Sequence, residues 1–439
     1  MSTIVNLENT SKWFHHRWWQ LVFGLVAMMS ISSSQYAWAL FVKPLQASLG
    51  SSLAAVQITF SILIVLQTWL SPLQGFLIQK FGPRLLISAG AILTGGSWVV
   101  AASVHDLTGL YLSYGVMGGL GTGIIYVGVV GLMVQWFPDK RGLATGLVAA
   151  GYGFGAIMTT FPIATMIKDS GYEHALTTFG FALGLVGLVV AQGLRRPPKP
   201  SGLPAQAAIS SSKVSPGKVF QSTRDFTSRE MLKTPVFWLL FVMMTMMSTG
   251  GLMVISQMGA FAKDFGVNDV LVFGMAALPL AMSIDRFTNG LTRPFFGWVS
   301  DRIGRENTMF IAFMLEAVAI LLMLAFRDNA VAFVLLSGIV FFGWGEIFSL
   351  FPATLTDIFG TGNATANYGF LYMAQGVGAI LGAPVAALLH ESTQSWVPIF
   401  GIVTVMDVTT ALLAFFVLKV WRKRMATPPA AMDLAASAA

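Results

Sequence analysis

Cysteine is absent from the 439-residue chain, and only 10% of its residues are charged. The first absence excludes a disulfide framework, a thiolate nucleophile and any Cys-ligated metal. The second excludes a soluble enzyme, which normally carries about 25% charge. The net charge is +7, but charge this dilute cannot build a phosphate-tracking surface, so an ordinary nucleic-acid binder is excluded too. Apolar residues fill the space instead, at 55% of the chain. A bilayer-spanning helix needs about 20 of them in a row, which leaves room for about a dozen spans. The sequence reads as an integral membrane protein whose surroundings are the lipid bilayer.

Apolar runs broken by turn residues or charge fall near 18–41, 54–78, 85–104, 109–136, 143–167, 175–194, 236–262, 270–298, 306–326, 330–351, 366–389 and 396–420. Helices satisfy their own backbone in lipid, and each run is too long for a barrel strand. The first run follows His15, His16 and Arg17 and is longer than the apolar core of a signal peptide, so it reads as a retained helix. With the N-terminus cytoplasmic, 20 of the 26 Lys and Arg residues fall in the N-tail, the even-to-odd loops and the C-tail. Only Lys43, Lys168, Lys263 and Arg327 lie on the other side, while Arg286 and Arg293 sit within the eighth run. This asymmetry predicts two cytoplasmic termini. The Asn9 and Asn363 glycosylation sequons then face the wrong compartment.

Residues 195–235 begin Arg195-Arg196-Pro197-Pro198-Lys199-Pro200 and continue Ser-rich and basic, which suits a linker and not a core. The expected division is a six-helix bundle over 1–194, a cytoplasmic linker over 195–235, a second six-helix bundle over 236–424 and a disordered tail over 425–439. The two halves repeat one another. Gly75 to Arg84 after the second run matches Gly297 to Arg305 after the eighth, and Gly146 to Ile157 in the fifth matches Gly369 to Ile380 in the eleventh. Both matches have nearly the same offset. Repeats of this kind build many secondary transporters, which hold a ligand between halves and alternate its access. The fold class expected is all-α, with twelve transmembrane helices in two pseudo-symmetric six-helix bundles.

The motif Gly297, Asp301, Arg302, Gly304, Arg305 after the eighth run resembles the gating-loop signature of the major facilitator superfamily. Its glycines let helix ends approach closely, and Asp301 is suited to cap a helix or pair with a loop arginine. The N-terminal copy has Gln79 in place of the acid and Pro83 in place of an arginine, so a weaker latch is expected there. Gln35-Tyr36-Ala-Trp38, Trp136-Phe137-Pro138-Asp139-Lys140-Arg141-Gly142, Asn289-Gly-Leu-Thr-Arg293-Pro294 and Asp357-Ile-Phe359-Gly360 look like the oxalate/formate antiporter family, itself related to the monocarboxylate transporters. The resemblance implies that Arg293 binds a substrate carboxylate. It also implies a lysine in the eleventh helix, where this chain departs and carries Gln375.

The residues themselves point the same way. A guanidinium in an apolar span costs several kcal/mol unless it meets a cavity or a partner. Arg293 lies eight residues before Asp301, about 12 Å along a helix, and its planar fork suits a carboxylate. A structural pair with a neighbouring helix is the alternative. Asp285, Asn289 and Arg293 share one helix face, so Asn289 is expected to orient Arg293 or touch the substrate. Arg286 leaves that face. It lies about as deep as Glu316 on the next helix, roughly 16 Å, which predicts a structural ion pair between them. Gln35, Tyr36, Tyr126, Tyr152, Trp344, Tyr372 and Gln375 would line the rest of the site with apolar walls and hydroxyls.

One cation neutralises a monocarboxylate but leaves a dicarboxylate with a buried charge, at a cost that weakens binding by about a thousandfold. The predicted activity is therefore secondary active transport of a small monocarboxylate of lactate, pyruvate, formate or acetate size. Proton symport is expected, with Asp285 and then Glu346 as the carriers of the proton, and with Asp407 snorkelling or pairing structurally. Oxalate:formate exchange without protons is the alternative. No Walker loop is present, so the chain does not drive transport with its own ATP hydrolysis. Gly118-Gly-Leu-Gly121-Thr-Gly123 spells a dinucleotide loop only as letters. It lies in an apolar span and predicts close helix packing. No metal and no cofactor are expected, and the chain is read as a monomer of a bacterial inner membrane.

Overall fold

The computed structural model describes residues 16–197, 221–222, 224–267 and 269–426. The Asn9 sequon, most of the expected linker (198–220 and 223) and the tail from 427 on lie outside the described residues.

The chain forms two compact units, Met1–Leu203 with Ala364–Gly376, and Pro204–Asn363 with Val377–Ala439. The first holds α1 (Arg17–Tyr36), α2 (Trp38–Leu49), α3 (Leu53–Trp69), α4 (Ser71–Phe81), α5 (Pro83–Ala101), α6 (Leu107–Trp136), α7 (Arg141–Ser170) and α8 (Tyr172–Ala191). The second holds α9 (Ser228–Leu232), α10 (Pro235–Asp264), α11 (Ala277–Ile303), α12 (Arg305–Ala325), α13 (Ala330–Trp344) and α14 (Ile347–Phe359). It also holds α16 (Ala386–Thr393), α17 (Val397–Leu412) and α18 (Lys419–Ala426). Helix α15 (Ala364–Ile380) has its first thirteen residues in the first unit, and a π turn over Leu381–Val385 carries it into α16.

Eight of the described helices or continuous helical stretches are long and apolar enough to cross a membrane, and two bent pairs raise that to ten. Helix α11 has 27 residues but carries Asp285, Arg286 and Arg293 within it. With the α15–α16 segment it completes the twelve expected spans. One boundary moves. The eighth span starts at Ala277 and not at 270, because a two-stranded hairpin pairs Leu271 with Ala276 and Val272 with Met275. Its turn, Phe273-Gly274, needs positive φ at both positions (51° and 81°), the geometry a tight hairpin demands.

The breaks in the helices have local causes. Helices α3 and α4 bend by 52° at Leu70; Pro72 follows and has no N–H to return to the carbonyl one turn back. The α1–α2 bend of 49° follows a serine run in which Ser30 and Ser32 hydroxyls donate to the Ala27 and Met29 carbonyls, competing with the helix ladder. Helices α13 and α14 part at Gly345-Glu346. A methyl group at Gly345 would come 2.9 Å from the Asn289 carbonyl of α11, so glycine is what allows those helices to touch. The Gly-rich run of α6 does the same in the first unit. Methyl groups at Gly119, Gly121 and Gly123 would each meet atoms of α3, α4 or α5 at 2.5–2.6 Å.

The internal repeat is visible in the backbone. Gly82 and Gly304 adopt the same unusual conformation, φ 95° and ψ 154° against φ 96° and ψ 154°, each one residue before a helix start. The latches built around them differ. In the second unit the buried Arg305 guanidinium donates to Asp357 at 2.9 Å, Asp301 at 2.6 Å and Ser300 at 2.5 Å. Asp301 thus pairs with an arginine. In the first unit Arg196 donates to the Ile78 and Gln79 carbonyls at the end of α4. A cation capping carbonyls there takes the place of the missing carboxylate.

The linker's far end is also fastened. Ser222 and Phe226 donate backbone N–H groups to the Asp357 and Phe359 carbonyls, and Asp225 accepts from Gly362 N–H at 2.8 Å. Thr227 and Glu230 then cap α9 reciprocally, which holds the Glu230 carboxyl below the usual carboxylate range.

Removing one member of a buried ion pair strands the other charge, at about 3–5 kcal/mol. Arg305→Met takes the cation away from the fully buried Asp357 and is therefore expected to lower the melting midpoint of the detergent-solubilised protein steeply. Arg305→Met with Asp357→Leu should lower it less, because no fully buried charge is left behind. Equal losses in the two variants would contradict this account of the latch.

Candidate substrate-binding site

The site residues expected from sequence divide between the two units, and each unit is built by itself. In the first unit the break after Tyr36 and the break after Trp69 lie close to Gln35 and to Gln67 in sequence. Tyr152 OH donates to Gln35 Oε1 at 2.7 Å. Gln67 Nε2 donates to Tyr372 OH at 3.3 Å and to Tyr152 OH at 3.5 Å. Tyr126 stacks on Tyr372 with ring centroids 4.7 Å apart and planes at 10°. Tyr152 stands edge-on to both Tyr36 and Tyr126, at 5.5 Å in each case. Edge-to-face and offset-stacked contacts of this kind fix ring positions as well as burying area.

Four of the expected tyrosines and Gln35 therefore form one cluster, with Gln67 at its centre. Sequence reasoning missed Gln67. The signal was an amide inside an otherwise apolar run, five residues before Pro72. Gln375 is buried in the same unit, and among the described residues its Oε1 and the Oε1 of Gln67 accept no hydrogen bond. Every one of these groups is neutral. The cluster can offer hydroxyls and amides to an anion but no charge.

The charge lies in the second unit. Arg293 is 2% exposed, and Asn289 Oδ1 accepts from its Nε at 3.1 Å and its Nη2 at 2.7 Å. The guanidinium lies 4.5 Å over the Phe348 ring, a cation–π contact that partly offsets its desolvation. Helical spacing of four explains the Asn289 contact: both side chains rise from the same face of α11. Phe348, two residues past the α13–α14 break, is a second residue that sequence reasoning did not single out.

Three expectations need correction. Among the described residues no ion pair within 4 Å joins Arg286 and Glu316. Arg286 is half-buried beside Asp285, whereas Glu316 is fully buried near Asp407 and Glu346. Similar depth did not suffice, because the two side chains leave their helices in different directions. Asp407 does not snorkel; it too is 0% exposed. Trp344 is taken up by packing. Its indole N–H donates to the Met247 carbonyl at 2.9 Å, and its ring lies on the flat surface left by Gly251.

A family model described as Major Facilitator Superfamily matches residues 22–287 and 280–437. The chain belongs to this superfamily. Among its relatives, the oxalate:formate antiporter of Oxalobacter formigenes is 34% identical over 406 residues, covering 92% of each chain. Monocarboxylate transporter 13 of Bos taurus is 25% identical over 383 residues, covering 87% of this chain and 82% of that one. The proton:xylose symporter XylE has the same fold, with a TM-score of 0.65 at 13% identity, covering 91% of this chain and 95% of that one. The molecule is a multi-pass membrane transporter.

The Tyr152–Gln67–Tyr372 network gives a prediction independent of the solute. Gln67→Leu removes two donors at nearly constant volume, and Tyr152→Phe removes one hydroxyl. Each should cost about 1 kcal/mol, read as a lower melting midpoint. Because they share partners, the double variant should lose less than the two single losses added together. Strict additivity would show that the two side chains act separately.

Proposed function

We propose that this transporter carries small monocarboxylate anions of lactate, pyruvate, formate or acetate size, by alternating access and in symport with a proton. The observation that carries the reading is Arg293, a buried guanidinium that a single helix supplies and Asn289 aims. Arg286 is half-buried and leaves the helix face that Asp285, Asn289 and Arg293 share, so one guanidinium is counted at the site. A monocarboxylate leaves no net charge against one guanidinium. A dicarboxylate leaves one negative charge without a counter-ion, and such a charge costs several kcal/mol when buried. Burial of Arg293 suits a carrier, which must close its site to both compartments in turn.

The neutral residues Gln35, Tyr36, Tyr126, Tyr152, Tyr372 and Gln375 are proposed as the walls that accept the remainder of the solute, with hydroxyl and amide donors to its oxygens. On this reading the protein works as a monomer in a bacterial inner membrane with both termini cytoplasmic, as the uneven Lys and Arg distribution predicts. The second reading is oxalate:formate exchange, favoured by the name and the 34% identity of the Oxalobacter relative.

Thermal-shift titration of the purified protein separates the two readings, since a ligand stabilises the state that binds it. Formate, acetate, lactate or pyruvate is expected to raise the midpoint at lower concentration than oxalate does. Arg293→Ala should abolish every shift, and Arg293→Lys should not restore them, because a lysine has neither the planar fork nor the stacking face. Oxalate binding as tightly as the best monoacid would defeat the monocarboxylate reading. In liposomes, oxalate uptake that requires internal formate would establish the exchanger instead.

A further inference from the structure

We propose that the start of α5 and the end of α8 form a binding site for the phosphate group of an anionic phospholipid. A cavity of about 700 Å³ opens there, lined by Arg84, Arg195 and Arg196 and by the apolar side chains of Phe81, Leu85 and Leu194. Among the described residues no carboxylate lines it. Arg84 and Arg196 are held by neutral groups. Arg84 Nε donates to Gln192 Oε1 at 2.9 Å, and Gln192 Nε2 donates in turn to Ser88 Oγ at 2.9 Å. Arg196 donates to the Ile78 and Gln79 carbonyls. An amide or a carbonyl orients a guanidinium without cancelling its charge, and a phosphate is the anion that matches its fork. Helix α5 adds a positive end, since no side chain caps its start and no acid lies in its first turn.

Nothing nearby in the chain neutralises this cavity. The described acids of the first unit are Asp106, Asp139, Asp169 and Glu173. Asp106, Asp169 and Glu173 lie where α5 and α7 end and α6 and α8 begin, at the opposite end of the unit. Asp139 lies at this end, and Arg17 holds it at 2.7 Å. The stretch 198–220 that follows the arginines contains no Asp or Glu and adds Lys199, Lys213 and Lys218.

The internal repeat supplies a control. Gly82 corresponds to Gly304, so Arg84 stands where the second unit has Glu306. In the second unit Glu306, in the first turn of α12, accepts from Arg422 at 2.8 Å, and that end is balanced from within. An arginine in the place of the glutamate leaves the first unit's cations unmatched at the equivalent point. The apolar approach then says what kind of anion fits. The Ser88–Gln192 contact joins neighbouring faces of α5 and α8. Leu85 and Ile92 continue the first face and Leu185 and Phe181 the second, and all four are 60–64% exposed. Both helices are long and apolar enough to cross a membrane, so this strip faces acyl chains. A phosphate in the cavity with chains along the strip is one molecule, and basic pockets between spans recruit acidic headgroups.

The experiment titrates full-length protein in detergent with phosphatidylglycerol or phosphatidylcholine and counts bound lipid by native mass spectrometry. Wild type is expected to bind one phosphatidylglycerol about tenfold or more tighter than phosphatidylcholine. Arg84→Gln should weaken phosphatidylglycerol by about fivefold, and Arg84→Glu, which adds a repelling charge, by more. Lys140→Gln, at the same end but outside the cavity, should weaken it by less than about twofold. Inorganic phosphate and glycerol 3-phosphate at equal concentration should not displace the lipid, because neither has chains for the apolar strip. Equal affinity of wild type for the two lipids overturns the proposal without need of any variant. Equal losses in Lys140→Gln and Arg84→Gln overturn it in favour of diffuse attraction to a basic surface. Displacement by either soluble phosphate overturns the lipid as occupant and gives the cavity to a soluble anion.

Discussion

A charge held away from water must be balanced nearby or it destabilises the fold by several kcal/mol, and this constraint governs where the ionisable groups of this transporter lie. At the ends of the helices it is met by full pairing: Arg305 has Asp357 and Asp301, and Arg422 has Glu306. Deeper in the second unit Asn289 and the Phe348 face surround Arg293 at contact distance. A guanidinium balanced by an amide and a ring keeps its attraction for an anion. One balanced by a carboxylate at contact distance would not. The same amino acid is paired with carboxylates at position 305 and held by an amide and a ring at position 293, where substrate binding is proposed.

The second organising feature is interruption. Straight helices would satisfy every backbone group and leave nothing to move. Instead the helices break at Ala37, at Leu70 and at Gly345-Glu346, with a π turn over Leu381–Val385. The polar residues that matter cluster close to those breaks, with Gln35, Tyr36, Gln67 and Glu346 beside them and the Phe348 ring two residues on. Proline, serine runs and glycine each supply a break by a different mechanism.

Much of this was legible in the sequence. The apolar runs gave the spans, because in lipid no other local signal competes with length and hydropathy. The repeat offset foretold the matching backbone at Gly82 and Gly304. Arg293 stood out because a guanidinium in such a run is too costly to keep without a polar partner or a ligand, and its four-residue spacing from Asn289 was enough to pair them. What the sequence concealed were contacts between helices far apart in the chain. The Arg286–Glu316 pair was inferred from depth alone, and depth does not say which way a side chain leaves its helix. Gln67 was passed over because an amide carries no charge to mark it. Asp357 entered only as part of a recognisable string, although it closes the latch on Arg305 from 52 residues away.

The tethering of the connecting segment has a mechanical consequence. Arg196 grips the Ile78 and Gln79 carbonyls, and the run from Ser222 to Phe226 is laced onto the end of α14. The described ends of 195–235 are therefore both knotted to helix termini. Both contacts lie outside 198–220, so a fluorescent reporter or affinity handle spliced there should leave both knots tied. Cutting into 222–227 would undo one of them and release the turn at Gly360–Asn363.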